Sequence, residues 1–396
     1  MALKEVLENF IKIMKIPHCS GNTKELREFL AQYAKNLGYE IESDKSGNLV
    51  ARKNNPKICF QSHIDMVCAG NAPKIEVMEE EGYLKAKNSS LGADNGIGIA
   101  IMMYLMKKYD DLEFLFTNDE EIGLIGAKNL ELNIKSKYLL NLDSEDDNVI
   151  LIGCAGGVDV KIKYPLKKAK TKGVLGKISI ENLPGGHSGV DIDKNISNAI
   201  IELLFKVDNL AFIKGGERRN SIPVNAMALE VFEGSEEIQI YDNEYLKFLR
   251  KLPHGVLEYD FEFKLPSKSV NFALIEEENI VLSARANTNK KLEEVKEYIK
   301  IKTLGCEVNF EDEYPAWAPE RSELALKLQE ITENKLEVIH AGLECGILKE
   351  KFPDVSMASF GPNIKNPHSI RERVEIKSIQ KIITNIKKLL QIVTKD

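Results

Sequence analysis

The chain has 396 residues, 43% of them hydrophobic and 29% charged, which suffices to bury at least one large core and fits two domains. Its formal net charge of -7 comes from acids and bases spread throughout, without the basic stripe that a nucleic-acid partner requires. No uninterrupted apolar run reaches the length of a membrane span, and six scattered cysteines without a Cys-x-x-Cys pair argue for reduced thiols rather than a disulfide framework or a thiolate metal site.

The first sixteen residues carry apolar side chains at helical spacing interrupted by Lys and Glu, an amphipathic helix and not a signal peptide, so a cytoplasmic location is expected. From there to residue 168 short β-rich runs alternate with helical stretches. This is the pattern of an α/β domain with a mostly parallel central sheet flanked by helices. The strand candidates are 48–54, 57–67, 112–117 and 138–143, and the apolar helix 96–109 follows a glycine-rich turn. Residues 169–315 read as an inserted α+β lid: strand 173–183, helix 197–207, strands 227–233 and 272–288, helix 289–301 and strand 306–314. A turn at 314–320 then leads to helical patterns at 322–336 and 379–393, so that 1–168 and 316–396 form one discontinuous catalytic domain.

Five places put metal-binding side chains at strand ends or turns. His63 and Asp65 share one side of their strand by its period of two, so that one can ligate while the other organises the ligand's surroundings. Asp94 sits among glycines before the apolar helix, where an N-cap is the alternative. Asp119, Glu120 and Glu121 follow an apolar strand. Adjacent carboxylates repel unless cations or solvent separate them, so a metal site with an acid/base beside it competes with a solvated acidic turn. Asp143, with Ser144 and Glu145, ends another strand, and His368 lies in Asn366-Pro367-His368-Ser369, where by itself it would be an ordinary histidine.

In this order, H-x-D, G-A-D-N-G, D-E-E-x-G, N-L-D-S and N-P-H-S resemble the motifs of the di-zinc peptidases related to carboxypeptidase G and aminoacylase. G-G-H-S-G at 185–189, R-R-N-S-I-P-V-N-A at 218–226 and H-A-G-L-E-C-G at 340–346 are similar, more narrowly, to the aminoacyl-histidine dipeptidases, or peptidase D. The resemblance spans nearly the whole chain. It implies a catalytic α/β domain with an inserted lid and two divalent ions, zinc by ligand chemistry, which manganese or cobalt would also satisfy.

Carried over by motif, Asp94 bridges the ions, His63 and Asp143 complete one site, and Glu121 and His368 complete the other. Glu120 becomes the general base for a water shared between the ions, and Asp65 the residue that fixes the His63 tautomer. His187 is implied as an oxyanion stabiliser, Asn220 and Arg285 as holders of the substrate's carbonyl and C-terminal carboxylate, and charge complementarity offers Glu344 as a partner for a free α-amino group. The implied activity is hydrolysis of unblocked dipeptides, Xaa-His or broader. An N-acyl-amino-acid amidohydrolase or aminopeptidase with the same metal site is the alternative, and a non-catalytic binder would lack Glu120. A small peptide is the expected partner, with no nucleic acid and no membrane, and the dimeric relatives admit a homodimer. The inserted segment is shorter than the lid of full-length peptidase D relatives.

Overall fold

The computed structural model describes residues 1–393, and these form two compact units. One comprises Met1–Ile152, Pro319–Glu337 and the described residues from Leu343 onward, and the other Gly153–Ala318 with Val338–Gly342. The chain enters the second unit at Gly153, earlier than the boundary expected at 168. The reason is that strand Gly156–Lys163 pairs antiparallel with both Asn279–Ala286 and Glu307–Tyr314 of the insert.

The first unit is built on an eight-stranded sheet. Its four central strands, Leu112–Thr117, Ile58–His63, Tyr138–Asn141 and Ser356–Ser359, are neighbours in that order and run parallel. They are buried almost throughout, as strands covered on both faces must be, which is why they read as continuous apolar runs. The expected parallel sheet therefore holds at the centre. On the flanks Leu49–Arg52, Glu40–Ser43 and Val149–Cys154 pair antiparallel.

Helix Ala93–Lys108 is apolar nearly all round because it lies between strand Ile58–His63 and the first helix, Ala2–Ile13, which buries Val6, Phe10 and Ile13. The last helix, Ile376–Val393, buries a stripe from Ile379 to Val393. No helix among the described residues is long and apolar enough to cross a membrane. A separate antiparallel sheet of Val77–Glu80, Tyr83–Ala86, Arg373–Glu375 and Ile364–Lys365 carries residues 366–372 as the tip of a hairpin.

One expectation is corrected here. Cys19 and Cys68, 49 residues apart, are joined in a disulfide, while Cys59, Cys154 and Cys345 are buried without one. Sequence spacing concealed the pair because its proximity comes from a tertiary bridge: Cys19 pairs with Met66, and the amides of Ser20 and Met66 donate to the carbonyls of Met66 and His18.

The second unit has an antiparallel eight-stranded sheet centred on Leu265–Glu276 and Asn279–Ala286, with helices Ala199–Leu204, Asn243–Leu249 and Asn289–Lys302. Ile200, Leu203, Tyr245, Leu249, Leu292 and Ile299 from those helices share one core with the sheet residues Phe272, Leu282 and Val160. The segment read as one strand over 272–288 is two strands of a hairpin. They turn at Glu277, which adopts φ 51° without the glycine or asparagine that usually marks such a turn.

Candidate metal centre

The carboxyl ends of the parallel strands are where side chains from different elements converge, and four of the expected ligands lie there or on the adjoining turn. His63 is the last residue of strand Ile58–His63 and is 1% exposed. Its Nδ1 donates to the backbone carbonyl of Asp65 at 2.9 Å, which fixes the proton on Nδ1 and leaves Nε2 for a ligand role. The Asp65 carboxylate, 3.6 Å away at its nearer oxygen, was expected to make that contact. It accepts instead from the amides of Glu120 (2.9 Å) and Glu121 (3.2 Å) and from Ser20 Oγ (2.7 Å), so Asp65 shapes the acidic turn as well as the histidine.

That turn divides its three acids. Asp119 is turned away, accepting from the Gly21 amide and the Asn118 side chain, while Glu121 points to the cluster. Asp94 follows Gly92, whose φ of 72° is left-handed and whose Cα stands against Met66, too close for a side chain. Asp94 Oδ1 lies 3.0 Å from His63 Nε2 and Oδ2 lies 3.0 Å from His368 Nε2. Asp143 Oδ1 is 3.3 Å from His63 Nε2, and Glu121 Oε1 is 2.9 Å from His368 Nε2.

The result is two triads that share Asp94, one oxygen for each. Imidazole nitrogen and carboxylate oxygen are the donors zinc and its neighbours accept, and the ligand atoms of His63, Asp94 and Glu121 all fall within 4.8 Å of one another. Glu121 Oε1 is buried and, among the described residues, accepts no hydrogen bond despite its nearness to His368, the arrangement of two groups aimed at a common third. The residues fit a pair of divalent cations.

The electrostatics agree. Burial raises Glu121 and Asp94 repels it further, to about 7. Burial and the adjacent Glu121 hold Glu120 well above the carboxylate range. For the histidines burial works the other way, but Asp143 overrides it at His63, and Asp94 and Glu121 carry His368 up to about 11. Asp94 is held low by the two histidines against the cost of burial, and Asp65 is lowered too, by His63, Ser20 and the Glu120 amide against its own burial. By themselves Glu121 and His368 thus hold protons at neutral pH that a cation must displace. Adding Zn²⁺ to chelator-treated protein at pH 7 should release protons, and affinity should strengthen as pH rises toward the elevated histidine values. Calorimetry in buffers of different ionisation enthalpy reads this directly, and a titration without proton release would count against these ligands.

Several contributors had no assigned role in the sequence. Asn95 Nδ2 donates to Asp143 Oδ1, and Glu145, already in view in N-L-D-S-E, is an exposed acid that Asp94 and Asp143 repel. Glu372, four residues beyond His368, accepts from the amides of Leu91, Gly92, Ala93 and Asp94. Glu344, unlike these, was expected to meet an α-amino group; it is fully buried, its Oε2 taken by Gln61 Nε2 and Thr117 Oγ1 at 2.6 Å each, while Oε1 has no hydrogen-bond partner among the described residues.

The remaining expected residues belong to the second unit. His187 Nδ1 accepts from the amides of Gly189 and Val190 at 3.2 Å, which leaves Nε2 as the protonated, donating nitrogen. Asn220 is exposed, and its carbonyl accepts from the Ser188 amide. Arg285 is 7% exposed and donates to Tyr314 Oη at 2.5 Å and more weakly to Ser188 Oγ, with Nε unpartnered among the described residues. His340 Nε2 lies 2.7 Å from Ser269 Oγ.

Comparison with known proteins fits this geometry. The model of Peptidase family M20/M25/M40 matches residues 59–392. The cytosol non-specific dipeptidase of Escherichia coli is 28% identical over 96% of each chain, and carboxypeptidase G2 of a Pseudomonas strain is 25% identical over 56% of this chain and 58% of its own. Among solved structures, the aminoacylhistidine dipeptidase of Vibrio alginolyticus superposes with a TM-score of 0.82 at 27% identity, covering 98% of this chain and 96% of that one.

Proposed function

This chain belongs to peptidase family M20/M25/M40, a metallopeptidase and hydrolase, and from that membership and the shared Asp94 we propose that it is a dipeptidase using two divalent ions, zinc by donor chemistry. The observation that carries the reading is the single carboxylate offering one oxygen to each of two histidine–acid pairs, with a further, partly buried acid, Glu120, next to Glu121 in the chain. The proposed substrates are unblocked dipeptides, with Xaa-His among them because the Vibrio relative bears that activity in its name. The proposed compartment is the cytoplasm, as in the name of the Escherichia coli relative.

Bound at these residues, divalent ions would polarise the scissile carbonyl and make water a nucleophile at neutral pH. Glu120 takes the proton from the attacking water and delivers it to the departing amine. Its raised proton affinity, set by burial and Glu121, would fall with cations held by the neighbouring ligands, which would favour the ionised base. Asp65, through the amides of Glu120 and Glu121, keeps base and ligand in register. No serine or cysteine nucleophile is required.

His187, with its proton on Nε2, is proposed to donate to the developing oxyanion, and Asn220 to the substrate carbonyl. Arg285, oriented by Tyr314, is proposed to receive the peptide's C-terminal carboxylate. Arg285→Met should raise KM for dipeptides by about 10- to 100-fold, the worth of a charge-assisted contact, and should leave C-amidated dipeptides unaffected. Equal losses on both would remove the carboxylate assignment.

Glu344 is proposed as the counter-charge for the free amine, supported by its unpartnered Oε1. Glu344→Gln should then lower kcat/KM about tenfold or more for free dipeptides while sparing N-acetylated ones. A uniform loss would make it a packing residue. The reading as a whole is tested by measuring bound metal and assaying Xaa-His, other, and N-acetylated dipeptides. Absence of divalent metal binding would end it, and a preference for the acetylated set would favour an amidohydrolase.

A further inference from the structure

Asp94 can face both histidines only if its own backbone is held in a conformation that no regular element supplies. Gly92 is left-handed, and Asp94 (ψ 107°) and Asn95 depart from helical geometry inside the first turn of helix Ala93–Lys108. Four consecutive amides in this segment turn inward, and an unsatisfied set of buried N–H groups would be costly. All four end on one side chain: Glu372 Oε2 accepts from Leu91 (2.7 Å) and Gly92 (3.0 Å), and Oε1 from Ala93 (2.8 Å) and Asp94 (3.2 Å). Glu372 is 2% exposed, and the last of its donors is the amide of Asp94 itself.

The position of Glu372 in the chain adds a second constraint. It lies on the hairpin tip that carries His368, where its amide donates to the Ser369 carbonyl. Strand Arg373–Glu375, which follows it, pairs with Tyr83–Ala86, and that strand leads into the Asp94 turn. One carboxylate therefore fixes the turn bearing the shared acid from the loop bearing the last histidine. A simple helix cap would satisfy one or two amides at a regular helix start. Here the four gripped amides precede the regular helix and include that of a proposed metal ligand.

We infer that Glu372 is a positioning residue for the metal centre, clamping the Leu91–Asp94 turn so that the Asp94 carboxylate is shared between His63 and His368. The inference rests on the reading of Asp94 as a metal bridge. The deciding experiment compares full-length wild type, Glu372→Gln and Glu372→Asp. Zn²⁺ affinity is measured by competition with a chelating indicator, melting temperature with and without Zn²⁺, and kcat and KM on one dipeptide. In Glu372→Gln the amide group must face two of the N–H donors. Its Zn²⁺ affinity should fall about 10- to 100-fold, the range for groups that orient a metal ligand. The rise in melting temperature on adding Zn²⁺ should shrink accordingly, since that rise follows ligand affinity. Turnover should fall with little change in KM, and Glu372→Asp, which keeps both oxygens, should recover part of the affinity.

A variant that melts lower without Zn²⁺ but keeps wild-type affinity and kcat would overturn the inference and leave Glu372 a structural cap. If Glu372→Gln does not fold, Glu372→Asp decides on the same readouts. A wild type that shows no Zn²⁺-dependent stabilisation would overturn the bridging role of Asp94 instead, so the two failures are distinguishable.

Discussion

Glu120→Gln should bind both metal ions as tightly as wild type and yet hydrolyse dipeptides about 10²- to 10⁴-fold more slowly, the usual contribution of a positioned general base. The substitution is nearly isosteric and leaves the turn intact, because Asp65 grips this segment through the backbone amides of Glu120 and Glu121 and not through the Glu120 side chain. KM should therefore change little, and the loss should sit in kcat, with the acidic limb of the pH–rate profile flattened because the group that must ionise is gone. Metal analysis together with steady-state kinetics on one dipeptide suffices. Wild-type turnover would remove Glu120 from the mechanism. Loss of metal would instead move it among the ligands.

Asp94→Asn should have a larger effect. This carboxylate faces both histidines, and the attraction that holds its own proton affinity low also helps to raise that of His63 and His368. Removing its charge weakens both triads together, so Zn²⁺ stoichiometry should fall from two toward zero and activity toward background, the forfeit of an acceleration that for enzymes is at least about 10⁶-fold. Asp143→Ala is the contrasting variant. Asp143 lies by His63 and is oriented by Asn95, so its loss should spare the Glu121–His368 side and leave one ion bound. Equal stoichiometry in the two variants would mean that Asp94 is not shared.

The residues that cluster around Asp94 were legible from strand ends, a glycine turn and the order of the motifs, His368 by that order alone. His63, Asp143 and the acids at 119–121 end apolar strands, Asp94 interrupts a glycine turn, and the motif order carried the family resemblance. What escaped depends on the direction of atoms within loops. Nothing in H-x-D tells that the carbonyl of Asp65 holds the imidazole while its carboxylate serves the amides of Glu120 and Glu121. Nothing in the spacing of Cys19 and Cys68 tells that two loops meet there. The parallel centre of the first sheet followed from continuous apolar runs, but two of its antiparallel pairings join strands far apart in sequence, where no turn signals them, and the hairpin at Glu277 lacks the usual turn residues. The crossing at Gly153 escaped for a related reason, since strand runs directly into strand there without a change of composition.

Because the hairpin tip bearing His368 and Glu372 comes after the whole of the inserted unit, the proposed centre is assembled from residues made at two widely separated moments of synthesis. His63, Asp94 and Asp143 emerge before the ribosome begins the insert, whereas Glu121 waits for a partner that is translated only after the insert is finished. A nascent chain thus carries three of the proposed ligands through most of its translation, and gains the central strand Ser356–Ser359, His368 and the Glu372 clamp only near the end. A polypeptide released before residue 356 would have His63, Asp94 and Asp143 in its sequence but neither the sheet strand beside Tyr138–Asn141 nor the carboxylate that holds the Asp94 turn.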